Sequence, residues 1–170
     1  MRHTHQVEKT TLLGALLARA GPEERIVVLE DVAELRIAHP HVVGLETRQA
    51  NLDGAGAISL DRLVREALRM RPDRLVIGEC RGAEVRELLS ALNTGHDGGA
   101  GTLHANSLTD VPARLEALAG LAGLTVDAMA RQAVSAFDAV LQVERTSGGR
   151  RLAALGHFGL DAGGRLVVST

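Results

Sequence analysis

The sequence predicts an α/β fold built on a mostly parallel sheet, with antiparallel strands at its C-terminal edge. Three observations carry that reading. Ile26-Val27-Val28-Leu29 and Leu75-Val76-Ile77 are continuous apolar runs, as expected of strands buried on both faces, and segments of helical period alternate with them. Both runs end in carboxylates, Glu30-Asp31 and Gly78-Glu79, at the strand C-termini where open parallel sheets gather their ligands. The end of the chain instead alternates short apolar runs with glycine pairs, which predicts an antiparallel meander.

Taken in order, Lys9-Thr10-Thr11 leads into Leu12-Leu13-Gly14-Ala15-Leu16-Leu17, the start of a helix, and the first buried strand follows at Ile26. Leu60, Leu63, Val64, Ala67 and Leu68 recur at helical spacing, with Ser59 as N-cap, Asp61 in the first turn and Pro72 as the stop. Val85, Leu88, Leu89 and Leu92 form a second apolar stripe closed by Gly95, and a further helix starts at the Thr125 cap. Ala100 to Ala105 reads as a strand leaving the Gly98-Gly99 turn. Val140–Val143, Leu152–Leu155 and Leu166–Val168, separated by Gly148-Gly149 and Gly163-Gly164, supply the antiparallel strands.

With 170 residues and 45% apolar content, the chain is long enough to bury one core, and one domain over residues 1–170 is the expectation. The formal net charge of −2 argues against electrostatic capture of nucleic acid, and two Phe with no Trp or Tyr leave no stacking platform for single strands. A lone cysteine, Cys80, excludes an intramolecular disulfide and points to a reducing cytoplasm. No run approaches the length needed to span a membrane.

Lys9 is the only lysine; every other basic residue of the Lys/Arg class is arginine. Its setting, Glu8-Lys9-Thr10-Thr11 ahead of an apolar helix, is where a phosphate-binding loop hands over to its helix. Three more segments follow: Leu29-Glu30-Asp31-Val32-Ala33-Glu34, Arg71-Pro72-Asp73-Arg74-Leu75-Val76-Ile77-Gly78-Glu79-Cys80-Arg81, and Asn93-Thr94-Gly95-His96 running to Thr102-Leu103-His104-Ala105-Asn106-Ser107. In this order they resemble the Walker A remnant, Asp box, Walker B and His box of the type II/IV secretion ATPase family, and within it the branch that powers tight-adherence (Tad) pili, often labelled conjugal-transfer-associated ATPases. The similarity runs from about Lys9 to about Val143.

That resemblance implies a RecA-like P-loop ATPase that hydrolyses ATP with Mg²⁺ to drive pilus assembly or export. It implies a hexamer that works in the cytoplasm against an inner-membrane platform protein; direct contact to nucleic acid is not expected, on the charge and aromatic content above. Phosphoryl transfer to water needs placed positive charge and an oriented water more than covalent help. By resemblance, Lys9, Thr10 and Thr11 meet the phosphates, and Thr10 and Glu79 hold Mg²⁺, the latter through water. Glu34 orients or deprotonates the attacking water, and His96 and His104 register the γ-phosphate. Arg65 and Arg69, which share a helix face with Arg62, are candidates to reach the phosphates; Arg48 and Arg81 are weaker ones.

The residues alone leave other readings open. Glu30, Asp31 and Glu34 also suit a solvated acidic turn; Arg62, Arg65 and Arg69 suit a solvated helix face. His96 and His104, with Asp97, His3 and His5, also suggest metal ligands, although their spacing lacks the close pairs of structural zinc sites. Cys80 reads as a buried, inert thiol.

The pattern departs from the family in two ways. His3 and Glu8 stand where the phosphate loop has glycines, and a glutamate there repels phosphate and blocks close backbone approach. Only eight residues precede Lys9, with Met1 and Val7 their clearly apolar members, so the central strand before the loop and the family's N-terminal domain are expected to be absent or replaced. The sequence therefore also supports a catalytically inactive paralogue that acts as an interaction module, a marginal fold in isolation, or a missing part encoded upstream.

Overall fold

The computed structural model describes residues 6–96, 98–147 and 149–170. They form two compact units, one of residues up to Cys80 together with Thr94–Thr102, the other of Arg81–Asn93 and Leu103–Thr170.

The first unit opens with α1 (Gln6–Leu17) and continues through β1 (Ile26–Glu30), β2 (Val42–Glu46), α2 (Leu60–Arg69), β3 (Arg74–Ile77) and β4 (Ala100–Gly101). The four strands form one parallel sheet in the order β2-β1-β3-β4. Leu17 of α1 packs on Ile26, Val28 and Val76, joined by Leu13, Ala20, Leu35 and Ile37. Side chains alternate along a strand, so Val27 and Leu29 point to the other face. There α2 lies against β1 and β2, burying Leu60, Leu63, Val64 and Ala67. Helices on both faces explain why β1 reads as an unbroken apolar run and why all five of its residues are buried.

Several expectations hold in this unit. Ser59 occupies the N-cap of α2, and Arg71, at φ 51, turns the chain out of the helix ahead of Pro72. The strand expected over Ala100 to Ala105 shortens to Ala100–Gly101, paired with Val76 and Ile77. β2 escaped the sequence reading because Gly44 interrupts its apolar run and its residues are only partly covered. A substitute strand from the N-terminal residues does not form over residues 6–8, which are helical; His3 and the rest of that segment lie outside the described residues.

The second unit contains α3 (Glu84–Leu92), a 3₁₀ turn (Leu108–Asp110), α4 (Val111–Leu121), α5 (Val126–Ala136), β5 (Val140–Thr146), β6 (Gly149–Leu160) and β7 (Leu166–Ser169). Thr125 caps α5 as expected, its hydroxyl accepting the Ala128 N–H at 3.2 Å. Pro112 stands in the first turn of α4, where its missing N–H costs nothing. The three terminal strands are antiparallel as expected, but they form a separate sheet, β5-β6-β7, and not the edge of the parallel one. Pairing between distant strands is not encoded in local pattern, which explains the misplacement.

Candidate functional site

β1 and β3 are neighbours in register, Leu29 opposite Ile77, so their carboxylate-bearing ends fall side by side. Two of those carboxylates are buried: Glu30 and Glu79 each retain 8% exposure. Asp31 and Glu34 are exposed. The solvated-turn reading thus fits Asp31 and Glu34 but not Glu30.

Burial of Glu30 is offset by donors. Its Oε1 accepts the backbone N–H of Glu34 at 3.1 Å and of Leu35 at 3.0 Å. Glu46, at the end of β2, accepts the Ala33 N–H at 3.2 Å. The Asp-box loop is therefore held through successive amides by carboxylates at the ends of two adjacent strands. Gly78 makes room for this: a Cβ there would lie 2.6 Å from Cγ of Glu30.

The backbone around Glu79 is held as tightly. Thr102, buried just past β4, donates its hydroxyl to the Gly78 carbonyl at 2.5 Å, and its own carbonyl accepts the Cys80 N–H at 2.8 Å. One residue of β4's exit thus brackets Glu79 from both sides. Cys80 is buried, as expected.

α1 leads into β1 through residues 18–25, and Leu17 rests on Ile26 at the strand's start, so the helix runs back along the sheet toward the strand ends. Gly14 lets it pass close to the chain beyond the Asp box; a Cβ there would stand 2.9 Å from the Arg36 carbonyl oxygen. One turn earlier, Thr10 is 9% exposed and Lys9 half-buried, while Thr11 is exposed. Lys9, Thr10, Glu30, Glu34 and Glu79 thus belong to one compact unit.

The remaining candidates are placed differently. Arg65 pairs with Asp61 at 2.9 Å and Arg69 with Glu66 at 3.3 Å, both on the exposed surface of α2. Asp61 is held below the usual carboxylate range, first by the Ser59 hydroxyl and, against the opposing cost of partial burial, by Arg65. Arg48 donates Nε–H to the Gly56 carbonyl at 2.7 Å and stabilises a loop after β2. His96 is half-buried in the first unit, whereas His104 is exposed in the second. Among the described residues no group of three or more His, Cys, Asp or Glu is placed to hold a metal ion. His3, His5 and Asp97, which entered the metal reading, lie outside the described residues. Sequence reasoning missed the structural part of Glu30 and of Thr102; the one local signal for Glu30 is that it closes a run buried on both faces.

A family model described as "Type II/IV secretion system protein" matches residues 7–145, most of the chain. The chain belongs to the type II/IV secretion system ATPase family. It is 57% identical over 143 residues to Rv3659c of Mycobacterium tuberculosis (strain H37Rv), provisionally named a conjugal transfer protein, covering 84% of this chain and 41% of that one. It is 36% identical over 153 residues to the conjugal transfer protein TrbB of Rhizobium radiobacter, covering 88% of this chain and 45% of the relative. Among solved structures it resembles the VirB11 ATPase of the Brucella suis type IV secretion system, crystallised with sulphate, at TM-score 0.75 and 27% identity over 88% of this chain and 46% of that one. The Legionella pneumophila ATPase DotB, at TM-score 0.54 and 17% identity, shares the fold. The chain spans less than half the length of these relatives. Among the described residues no helix is long and apolar enough to cross a membrane.

Proposed function

We propose that this chain is the RecA-like nucleotide-hydrolysing core of a conjugal-transfer or Tad-like pilus motor, which couples ATP hydrolysis to assembly or export. The observation that supports this most is the pairing of strand ends: β1 and β3 deliver the Asp box and Glu79 side by side in the unit that also contains Lys9 and Thr10. In this reading Lys9, Thr10 and Thr11 take the phosphates, with Arg65 and Arg69 as outer cations that must leave their pairs with Asp61 and Glu66 to help. Glu34, exposed on a clamped loop, orients or deprotonates water. Thr10 offers a hydroxyl and Glu79 a carboxylate to Mg²⁺, which when bound neutralises phosphate charge; hydroxyl and carboxylate oxygens are the donors that hard cation takes. His96 and His104 sense the γ-phosphate. The working form is a cytoplasmic hexamer seated on an inner-membrane platform protein.

Titration with labelled ATP and Mg²⁺ tests this. Saturable binding in the micromolar range that Lys9→Ala abolishes is the expected result, and absence of binding at millimolar ATP overturns it. That second outcome would favour a module that keeps the fold and its binding surfaces without turnover. One observation points that way: α1 already begins at Gln6, so Glu8 lies on the helix where a phosphate loop has its glycine.

A further inference from the structure

We propose that Glu30 is a positioning residue for the hydrolytic reaction: its buried carboxylate sets the backbone that carries Glu34 and ties that loop to the strand end ahead of Glu79. The inference rests on the roles given above to Glu34 and Glu79.

Glu34 is exposed, so packing does not aim it. What fixes its backbone is the carboxylate four residues earlier. Oε1 of Glu30 accepts from both Glu34 and Leu35, at 3.1 and 3.0 Å, so two successive amides converge on one oxygen. The loop is gripped again one residue earlier, where Ala33 donates to Glu46 at 3.2 Å, and the Glu30 carbonyl accepts the Thr47 N–H at 3.0 Å. A carboxyl group buried to 8% exposure needs such donors; without them its buried oxygen would carry an uncompensated desolvation cost.

The same side chain lies across the neighbouring strand. A Cβ at position 78 would come within 2.6 Å of Glu30 Cγ and 3.1 Å of Oε1, so the carboxylate rests on the Gly78 backbone, directly before Glu79. Glu30 thus touches both the Asp-box loop and the strand end ahead of Glu79. Activation of a water depends on placement to a fraction of an ångström. Glu30 acts on the reaction through Glu34, not on the nucleotide.

Two substitutions separate charge from shape: Glu30→Gln retains an acceptor oxygen and the volume, and Glu30→Ala removes both. With Mg²⁺ and ATP, Glu30→Ala is expected to lower kcat about 10- to 100-fold with KM unchanged, and Glu30→Gln to recover much of the loss. Amide exchange read by NMR is expected to accelerate about tenfold at Glu34 and Leu35 in Glu30→Ala, with Val27 and Val28 of β1 unchanged. Unaltered exchange at Glu34 and Leu35 overturns the clamp. Accelerated exchange with unaltered kcat, or a rise in KM that accounts for the whole loss, overturns the positioning role. If the wild-type chain does not turn over ATP, the proposed function fails, while local acceleration at Glu34 and Leu35 alone still establishes the clamp. Should Glu30→Ala fail to fold, Gly78→Ala, whose methyl would stand 2.6 Å from Glu30 Cγ and displace the clamp, carries the same readouts.

Discussion

The two sheets of this chain treat apolar residues in opposite ways. In the parallel sheet, β1 is covered on both faces and every residue from Ile26 to Glu30 is buried. In the antiparallel sheet, Gly156 and Leu166 are buried, while Leu141, Leu155 and Val167 sit exposed on another face of the same three strands. A strand buried on both faces has no freedom at its end, so a polar group placed there arrives at a fixed point and must be satisfied by fixed donors. Glu30 is such a group, and Glu79 is buried to the same extent just beyond the neighbouring strand. The antiparallel sheet, open on one side, supports a fold without confining any carboxylate in that way.

The largest test of this contrast is a pair of leucine truncations. Leu29 has no exposure, and Leu29→Ala is expected to cost about 2–5 kcal/mol through lost contacts and the cavity left behind. Leu155 is 47% exposed, and Leu155→Ala is expected to stay within about 0.5 kcal/mol. Urea unfolding of both variants measures the difference. Equal costs would break the comparison, because they would mean that the open face of the antiparallel sheet is covered in solution.

A glycine in each sheet gives the next effect. Gly78→Ala drives a methyl to 2.6 Å from Glu30 Cγ, and Gly156→Ala drives one to 2.5 Å from Val168 Cγ1 and 3.1 Å from the Ser169 carbonyl oxygen. Each is expected to destabilise by about 1–3 kcal/mol. Their rescue should differ. At position 78 the obstruction is one side chain, so Glu30→Ala in the same molecule should recover most of the packing cost, with a coupling energy of about 1 kcal/mol. At position 156 backbone also stands in the way, so Val168→Ala should recover only part. Full rescue at both positions would show that the β6–β7 backbone yields as readily as a side chain.

The contrast also explains what could be read from the sequence. β1, β3 and the stripes of α2 and α3 were legible because burial on both faces, or on one helix face, writes an unambiguous apolar pattern. The antiparallel strands were legible as strands because glycine turns punctuate them, but their sheet was not, since pairing is a long-range choice. β4 was over-extended: beyond Gly101 the chain leaves the ladder once the Thr102 N–H reaches the Ile77 carbonyl at 3.3 Å, and nothing in Ala100 to Ala105 encodes that departure. α4 went unread because Ala and Gly in Val111–Leu121 blur its helical period. At the site, resemblance to the family assigns roles to Glu34 and Glu79, but the local pattern does not set them apart from Glu30. All three are carboxylates near strand ends, and only the donors around Glu30 reveal that one of them shapes the loop.

The smallest effect concerns a carboxylate that the sheet does not confine. Asp61 lies in the first turn of α2 and is held below its usual range by the Ser59 hydroxyl first and then Arg65. A lowered folded-state pKa contributes stability above the unfolded value, near 3.9, and that contribution disappears as pH falls through the folded value. Because the Asp61–Arg65 pair is largely solvent-exposed, the gain is expected to be only about 0.3–0.5 kcal/mol. Asp61→Asn should therefore melt slightly below the wild type at pH 7 and together with it at pH 3. A gap that persists at pH 3 would mean that Asp61 acts through shape or helix capping and not through its charge. In that case surface and strand-end carboxylates would differ less than their burial implies.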